Sequence, residues 1–171
     1  ALGPEIARRT VTLMAPSKTY NIAGLHCSFA VIQDPVLRKQ FSTAHKGMAH
    51  GVNLLGQVAA KAAYEEGQEW LDTVLVYLAA NRDLVCEFVR RDLPGVRMWR
   101  PEATYLAWLD FRELQLEGRP CEFFIQNARV GLSDGAMFGK SGEGFVRLNF
   151  GCPRSILVES LERMKRAVER L

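Results

Sequence analysis

Apolar positions along this 171-residue chain recur with two periods, that of a strand and that of a helix. Thr10 to Met14 reads as a short strand stopped by Ala15-Pro16, and the polar, turn-rich Ser17 to Gly24 reads as a loop. Ser28 to Ile32 reads as a second strand. Asp34-Pro35 then marks a helix start, with proline in the first turn, where its missing N–H costs nothing. From Val52 the pattern is helical, placing Val52, Leu55, Ala59, Ala62 and Ala63 on one face. A longer helix runs from about Glu69 to Arg91, with Leu71, Val74, Leu75, Leu78, Val85 and Phe88 at helical spacing and charges opposite.

Pro94-Gly95 ends that helix. Two strands are expected next, Val96 to Trp99 and Tyr105 to Phe111, and then a shorter helix over roughly Cys121 to Arg129. Gly131 to Gly144 holds five of the fourteen glycines and is expected to be largely loop. Phe145 to Phe150 reads as a strand, and Pro153-Arg154-Ser155 leads into a last helix whose stripe is Leu157, Leu161, Met164, Val168 and Leu171. The order predicts a composite of one domain's tail, residues 1–92, and a small α+β domain, residues 93–171. No internal repeat or low-complexity segment interrupts it.

Composition narrows the function classes. At 48% hydrophobic and 24% charged the chain lies in the globular range. The formal charge is only +3, and Lys and Arg are scattered among Asp and Glu, which argues against nucleic acid. Cys27, Cys86, Cys121 and Cys152 lie far apart with no C-x-x-C spacing, so neither zinc nor a disulfide framework is expected. Reduced, mostly buried thiols in a cytoplasmic protein are the expectation. No apolar run approaches the roughly 18 to 20 residues that span a bilayer, and no membrane partner is expected. Ala1 to Arg9 lacks the layout of a signal peptide. The chain opens without an initiator methionine and runs directly into a strand-like stretch, so a preceding N-terminal part is expected.

The segment Ala15-Pro16-Ser17-Lys18-Thr19-Tyr20-Asn21-Ile22-Ala23-Gly24-Leu25 carries the most chemistry. A lysine in a loop after an apolar strand can be partly desolvated, which disfavours its ammonium form and frees the amine as nucleophile or base. By spacing alone, Lys18 is an ordinary solvated loop lysine. The stretch resembles, however, the cofactor-lysine motif of fold-type I aminotransferases and their relatives. Its form S-K-T-aromatic-N-I-A-G-L is similar to the cystathionine β-lyase (MalY/PatB-type) subgroup of those pyridoxal-phosphate (PLP) enzymes. Further resemblances follow in order: Pro101 to Asp110 to a small-domain strand, Gly135 to Gly139 and Gly142 to Phe145 to a glycine-rich loop, and Val146 to Arg154 to a closing strand. Together they cover essentially the whole chain.

The resemblance implies an α/β fold class, the end of the large PLP domain followed by the small C-terminal α+β domain. It implies PLP as cofactor, Lys18 as the lysine that carries it and takes the Cα proton, and an amino-acid substrate. The implied reaction is β-elimination from a cysteine S-conjugate such as cystathionine, giving a thiol, pyruvate and ammonia. Transamination is the alternative reaction, and an inactive fragment acting only by association is the non-enzymatic one. Arg147, on a predicted strand, reads by itself as a strand arginine in a surface ion pair. The resemblance implies that its planar fork holds the substrate carboxylate. Arg154, at the start of the last helix, has a structural role. A homodimer is implied for the full-length enzyme.

One position departs from the pattern. Many aminotransferases carry an arginine two residues after the motif glycine, where it pairs with the cofactor phosphate. Counted from Gly24, that position is His26, which either substitutes or lines the loop. Ser17 is a candidate hydroxyl donor to the same phosphate. The family's acidic partner for the pyridine nitrogen, its stacking aromatic and most of its phosphate cup precede the lysine and lie outside these 171 residues, so the chain alone is expected to bind PLP weakly or not at all. Ser17-Lys18-Thr19 and Gly135-x-x-x-Gly139-Lys140-Ser141 mimic a P-loop but lack its glycines or spacing. His45 and His50, with no acid at metal-ligand spacing, are expected in loops or at an interface, and no metal is expected.

Overall fold

A computed structural model describes residues 3–48 and 51–171. It divides into two compact units, Ala1–Thr73 and Val74–Leu171. The division falls inside a long helix. The boundary at 92/93 read from the sequence is the end of that same helix.

The first unit opens with a four-residue helix, α1 (Pro4–Ala7), and an antiparallel ribbon of β1 (Thr12–Met14) and β2 (Phe29–Val31). Both strands are shorter than the sequence suggests, and Leu13, Met14, Phe29 and Val31 are exposed, Leu13 to 72%. Helix α2 (Pro35–His45) starts where expected, with the Asp34 carboxylate accepting from the Leu37 amide at 2.8 Å. His45 is the last residue of α2, not a loop residue, and its ring stacks on Phe41 one turn earlier, at 6.0 Å. His50 lies outside the described residues. Helix α3 is Leu54–Glu66. Its expected apolar face is not a core face, since Leu55 is exposed and Gly56 is its only buried residue.

Helix α4 (Gln68–Asp92) carries the chain into the second unit. A four-stranded antiparallel sheet follows, in the order β3 (Arg97–Met98), β4 (Leu106–Asp110), β6 (Phe145–Asn149) and β5 (Ser133–Asp134). Helices α5 (Pro120–Ala128) and α6 (Arg154–Val168) complete it. Alternation along the two central strands sends Ala107 and Leu109 of β4 and Val146 and Leu148 of β6 into one core. Val85, Phe88 and Val89 of α4, Phe124 of α5, and Leu157, Leu161 and Met164 of α6 fill it. The apolar stripe of α6 ends before Leu171, which lies past the helix and is 66% exposed. Strand β5 sits inside the glycine-rich segment read as loop.

One buried polar residue ties α4 to the sheet. Asn81 is fully buried, and its amide donates to the carbonyls of Phe150 and Cys152, both at 3.0 Å. Its Oδ1 accepts from Arg154 Nε at 3.0 Å. Arg154 also lies 5.1 Å from the Tyr77 ring centroid, and its backbone N–H donates to the Tyr77 hydroxyl at 2.6 Å. These contacts make it the structural arginine expected from the sequence. Of the four free cysteines only Cys121 is buried and the other three are half-buried, a correction to the expected burial. Burial pushes the thiols of Cys86, Cys121 and Cys152 up, so they stay protonated.

Replacing Asn81 with leucine leaves two carbonyls and Arg154 short of a partner. We expect a loss of about 1–3 kcal/mol of unfolding free energy, read from urea melts. Asp110, buried at the end of β4, accepts from Arg112 Nε and Nη2 at 2.9 and 2.7 Å, and this holds its carboxyl below its usual 3.8. A depressed carboxyl stabilises the fold above its unfolded value and loses that contribution as pH falls through the folded one. The stability gap between wild type and Asp110→Asn should therefore close as pH is lowered below about 4.

Candidate functional site

The lysine turn belongs to the first unit. Between the strands of the ribbon the chain makes a turn over Pro16–Asn21, closed by Tyr20 N–H to Pro16 O at 2.9 Å and Ile22 N–H to Ser17 O at 3.1 Å. Pro16 is fully buried under it. A 3-10 turn, Ala23–Leu25, follows, and His26 ends it in the left-handed region at φ 50°.

Helix α3 holds this turn at both of its own ends. At its start, Asn53 Oδ1 accepts from the Gly56 N–H at 2.7 Å, while Asn53 Nδ2 donates to Leu25 O at 2.9 Å. A Cβ on Gly56 would lie 2.4 Å from the same Leu25 oxygen, so only glycine lets the helix approach so closely. Toward its end, Tyr64 meets Tyr20 edge to face at 5.4 Å.

Lys18 sits in this turn and is exposed. That is the solvated loop lysine its spacing alone suggests, and in this unit no packing desolvates the amine. Its ammonium has no carboxylate within salt-bridge distance among the described residues. Ser17 is half-buried, its hydroxyl 3.5 Å from the Cys27 carbonyl, and His26 is exposed. Ser17, Lys18 and His26 therefore share one loop.

Arg147 belongs to the second unit. It stands on β6 opposite Trp108 of β4 and Ser133 of β5, on the sheet face away from the core. Its Nη2 donates to the Ser133 hydroxyl at 3.3 Å, and its guanidinium carbon lies 4.6 Å from the centroid of the Phe138 ring. Phe138 meets Trp108 edge to face at 5.6 Å, and Trp108 stacks on Phe145 at 5.5 Å. Phe145 in turn carries the guanidinium of Arg112 at 4.6 Å. Two cations thus bracket a row of three rings. Arg112 is neutralised by Asp110, whereas Arg147 has no carboxylate within reach among the described residues. The ion pair that the residue alone suggested for Arg147 is absent.

Phe138 reaches Arg147 from the glycine-rich segment, which folds as two 3-10 turns, Gly135–Phe138 and Lys140–Gly142. The turns are clasped backbone to backbone: a Cβ on Gly135 would lie 2.3 Å from Gly142 O, and one on Gly142 would lie 2.1 Å from Gly135 O. Sequence reasoning missed Phe138 and Ser133. The resemblance singled out the glycine segment, but which side chain leaves it toward β6 depends on that clasp. Among the described residues no group of three or more His, Cys, Asp or Glu side chains is placed to hold a metal ion. Among the described residues no helix is long and apolar enough to cross a membrane.

The chain belongs to the family Aminotransferase class I and II, which it matches over residues 2–166. It is 38% identical to cystathionine beta-lyase PatB of Bacillus subtilis over 98% of its own length and 44% of that protein's. Among solved structures it is similar to OvoB, with a TM-score of 0.92 and 49% identity over 98% of this chain and 43% of that one. It is also similar to cystalysin from Treponema denticola, which contains a pyridoxal 5'-phosphate cofactor, with a TM-score of 0.90 and 34% identity over 97% of this chain and 43% of that one. The expected fold, the C-terminal portion of a fold-type I enzyme, is borne out. The chain spans less than half the length of these relatives.

The clasp yields a prediction of its own. Gly135→Ala places a methyl against two backbone oxygens that cannot yield like a flexible side chain. The substitution should destabilise by about 1–3 kcal/mol in thermal or urea unfolding. Gly139→Ala at the same tip meets no atom within 4 Å. Its φ of 121° makes it a comparison for backbone strain without a clash.

Proposed function

We propose that this chain forms part of a PLP-dependent carbon–sulfur lyase that eliminates thiol from cysteine S-conjugates such as cystathionine, leaving pyruvate and ammonia. The observation that carries the reading is the turn over Pro16–Asn21 that presents Lys18 to solvent, in a chain that matches the aminotransferase class I and II family over residues 2–166. Relatives named cystathionine beta-lyase, matched over 92–98% of this chain and 42–44% of their own length, support it.

The donor set fits the cofactor. A primary amine, a hydroxyl and an imidazole share one loop, and the amine is not engaged by an acid. Lys18 would carry the cofactor through Nζ, Ser17 would donate its hydroxyl to the phosphate, and His26 either contacts the phosphate or lines the loop. When bound, pyridoxal phosphate supplies an electron sink for the bond that breaks at Cα.

The chain's own residues do the rest. Lys18 Nζ, once free of the cofactor, takes the proton from the substrate Cα. Arg147 receives the α-carboxylate in its planar fork, which fixes the substrate's orientation and so which Cα bond is aligned for cleavage. The Cβ–S bond then breaks, the departing thiolate takes up a proton to become the thiol, and water hydrolyses the remaining three-carbon amino compound to pyruvate and ammonia. Transamination shares the first proton transfer and differs in where the proton is returned. Curated relatives named cystathionine beta-lyase at 36–38% identity, against 23% and 28% for two named as aminotransferases, favour elimination over it. The full-length protein would act on amino acids as a cytoplasmic homodimer, with residues 1–92 completing the PLP domain and 93–171 forming the small domain.

Borohydride reduction of the cofactor-loaded full-length protein tests the assignment of Lys18. Peptide mapping should find the cofactor fixed on Lys18 in the wild type and nowhere on Lys18→Ala. A cofactor fixed on another lysine would overturn the assignment.

A further inference from the structure

We propose that Phe138 is a positioning residue for Arg147, setting the guanidinium so that its unpaired N–H groups meet an incoming α-carboxylate in one orientation. The proposal rests on the reading of Arg147 given above.

Three observations carry it. The first is the contact of the cation with the ring. The guanidinium carbon lies over the Phe138 ring, 4.6 Å from its centroid, a contact that uses none of the hydrogen-bond acceptors a carboxylate would replace. Nη2 uses one donor on Ser133 at 3.3 Å, and no other side-chain bond from Arg147 is made among the described residues. Ring and hydroxyl therefore restrain the group in two directions without consuming the donors that a carboxylate needs.

The second is that Phe138 is held to this task by its backbone, not by burial. Its ring is 51% exposed, yet the turn that bears it is clasped through Gly135 and Gly142. Asp134 caps the turn, its Oδ1 accepting from the Ala136 N–H at 3.1 Å, and is itself pinned by Arg119 at 2.9 Å. The third is the support behind the ring. Trp108, the cross-strand partner of Arg147, meets Phe138 edge to face, so one β4 residue backs both the cation and its ring. Met137, its neighbour on the same turn, is 78% exposed.

The test is steady-state kinetics of the full-length, cofactor-loaded protein on L-cystathionine. Phe138→Leu keeps the apolar bulk but loses the ring's negative face. It should raise KM about three- to tenfold with kcat changed less than about twofold. Phe138→Tyr should restore KM, and Met137→Leu, beside it but off the cation, should leave both constants unchanged. Arg147→Gln should raise KM at least as far as Phe138→Leu or abolish turnover. If Phe138→Leu leaves KM unchanged while Arg147→Gln raises it, the positioning role is overturned and the reading of Arg147 survives. If Arg147→Gln leaves KM unchanged, or the wild type does not turn over L-cystathionine, both fall. Failure of tyrosine to rescue, or a matching effect of Met137→Leu, also overturns the positioning role.

Discussion

The pairing of β4 with β6 is the constraint on which the second unit depends. Leu109 faces Val146 and Ala107 faces Leu148 across the ladder, and all four are buried. The intervening pair, Trp108 and Arg147, is thereby turned to the opposite face. Because side chains alternate with a period of two, the register that builds the core also delivers Arg147 to the outer face beside its rings. A slip by one residue would bury a guanidinium and expose two core pairs at once, so core energetics and site geometry are fixed by one decision. Asn81 fastens the far end of the same strand, accepting Arg154 and donating to the two carbonyls that follow β6.

The two cations are held by different means. Arg147 is positioned by a packed sheet, a clasped glycine turn and an aromatic row. Lys18 is positioned by hydrogen bonds and close approach: Asn53 on Leu25, Gly56 beneath the Leu25 carbonyl, and Tyr64 on Tyr20. The first unit buries little apolar surface, and its ribbon leaves Leu13, Met14, Phe29 and Val31 exposed. A two-stranded ribbon with apolar side chains in water is marginal by itself. The chain covers 44% of PatB and 43% of cystalysin.

Much of this was legible in the residues. The helices over 68–92 and 154–168 were readable because their apolar positions recur at helical spacing against one core. The central strands were readable because alternation and flanking turns mark them. Strand β5, two residues long, carries no period to detect, and α1 is a single turn. Leu171 fits the stripe of α6 but falls after the helix has ended, where periodicity no longer describes direction. Lys18 was recognisable only through its motif, since a loop lysine has no distinguishing spacing. Whether its amine is desolvated could not be read, because desolvation depends on neighbours that local sequence does not specify; in this unit it is exposed. Phe138 was hidden for a related reason: a ring inside a glycine-rich run has no face until the Gly135–Gly142 contact gives it one.

In the function proposed above, Lys18 is the proton carrier and Arg147 the carboxylate anchor, and elimination differs from transamination in the loss of the substituent at Cβ. The most direct test is the release of pyruvate from L-cystathionine by the full-length, cofactor-loaded protein with no keto acid added. The account predicts continuous, stoichiometric pyruvate and thiol over many turnovers. No pyruvate, with amino transfer appearing only when a keto-acid acceptor is supplied, would contradict it.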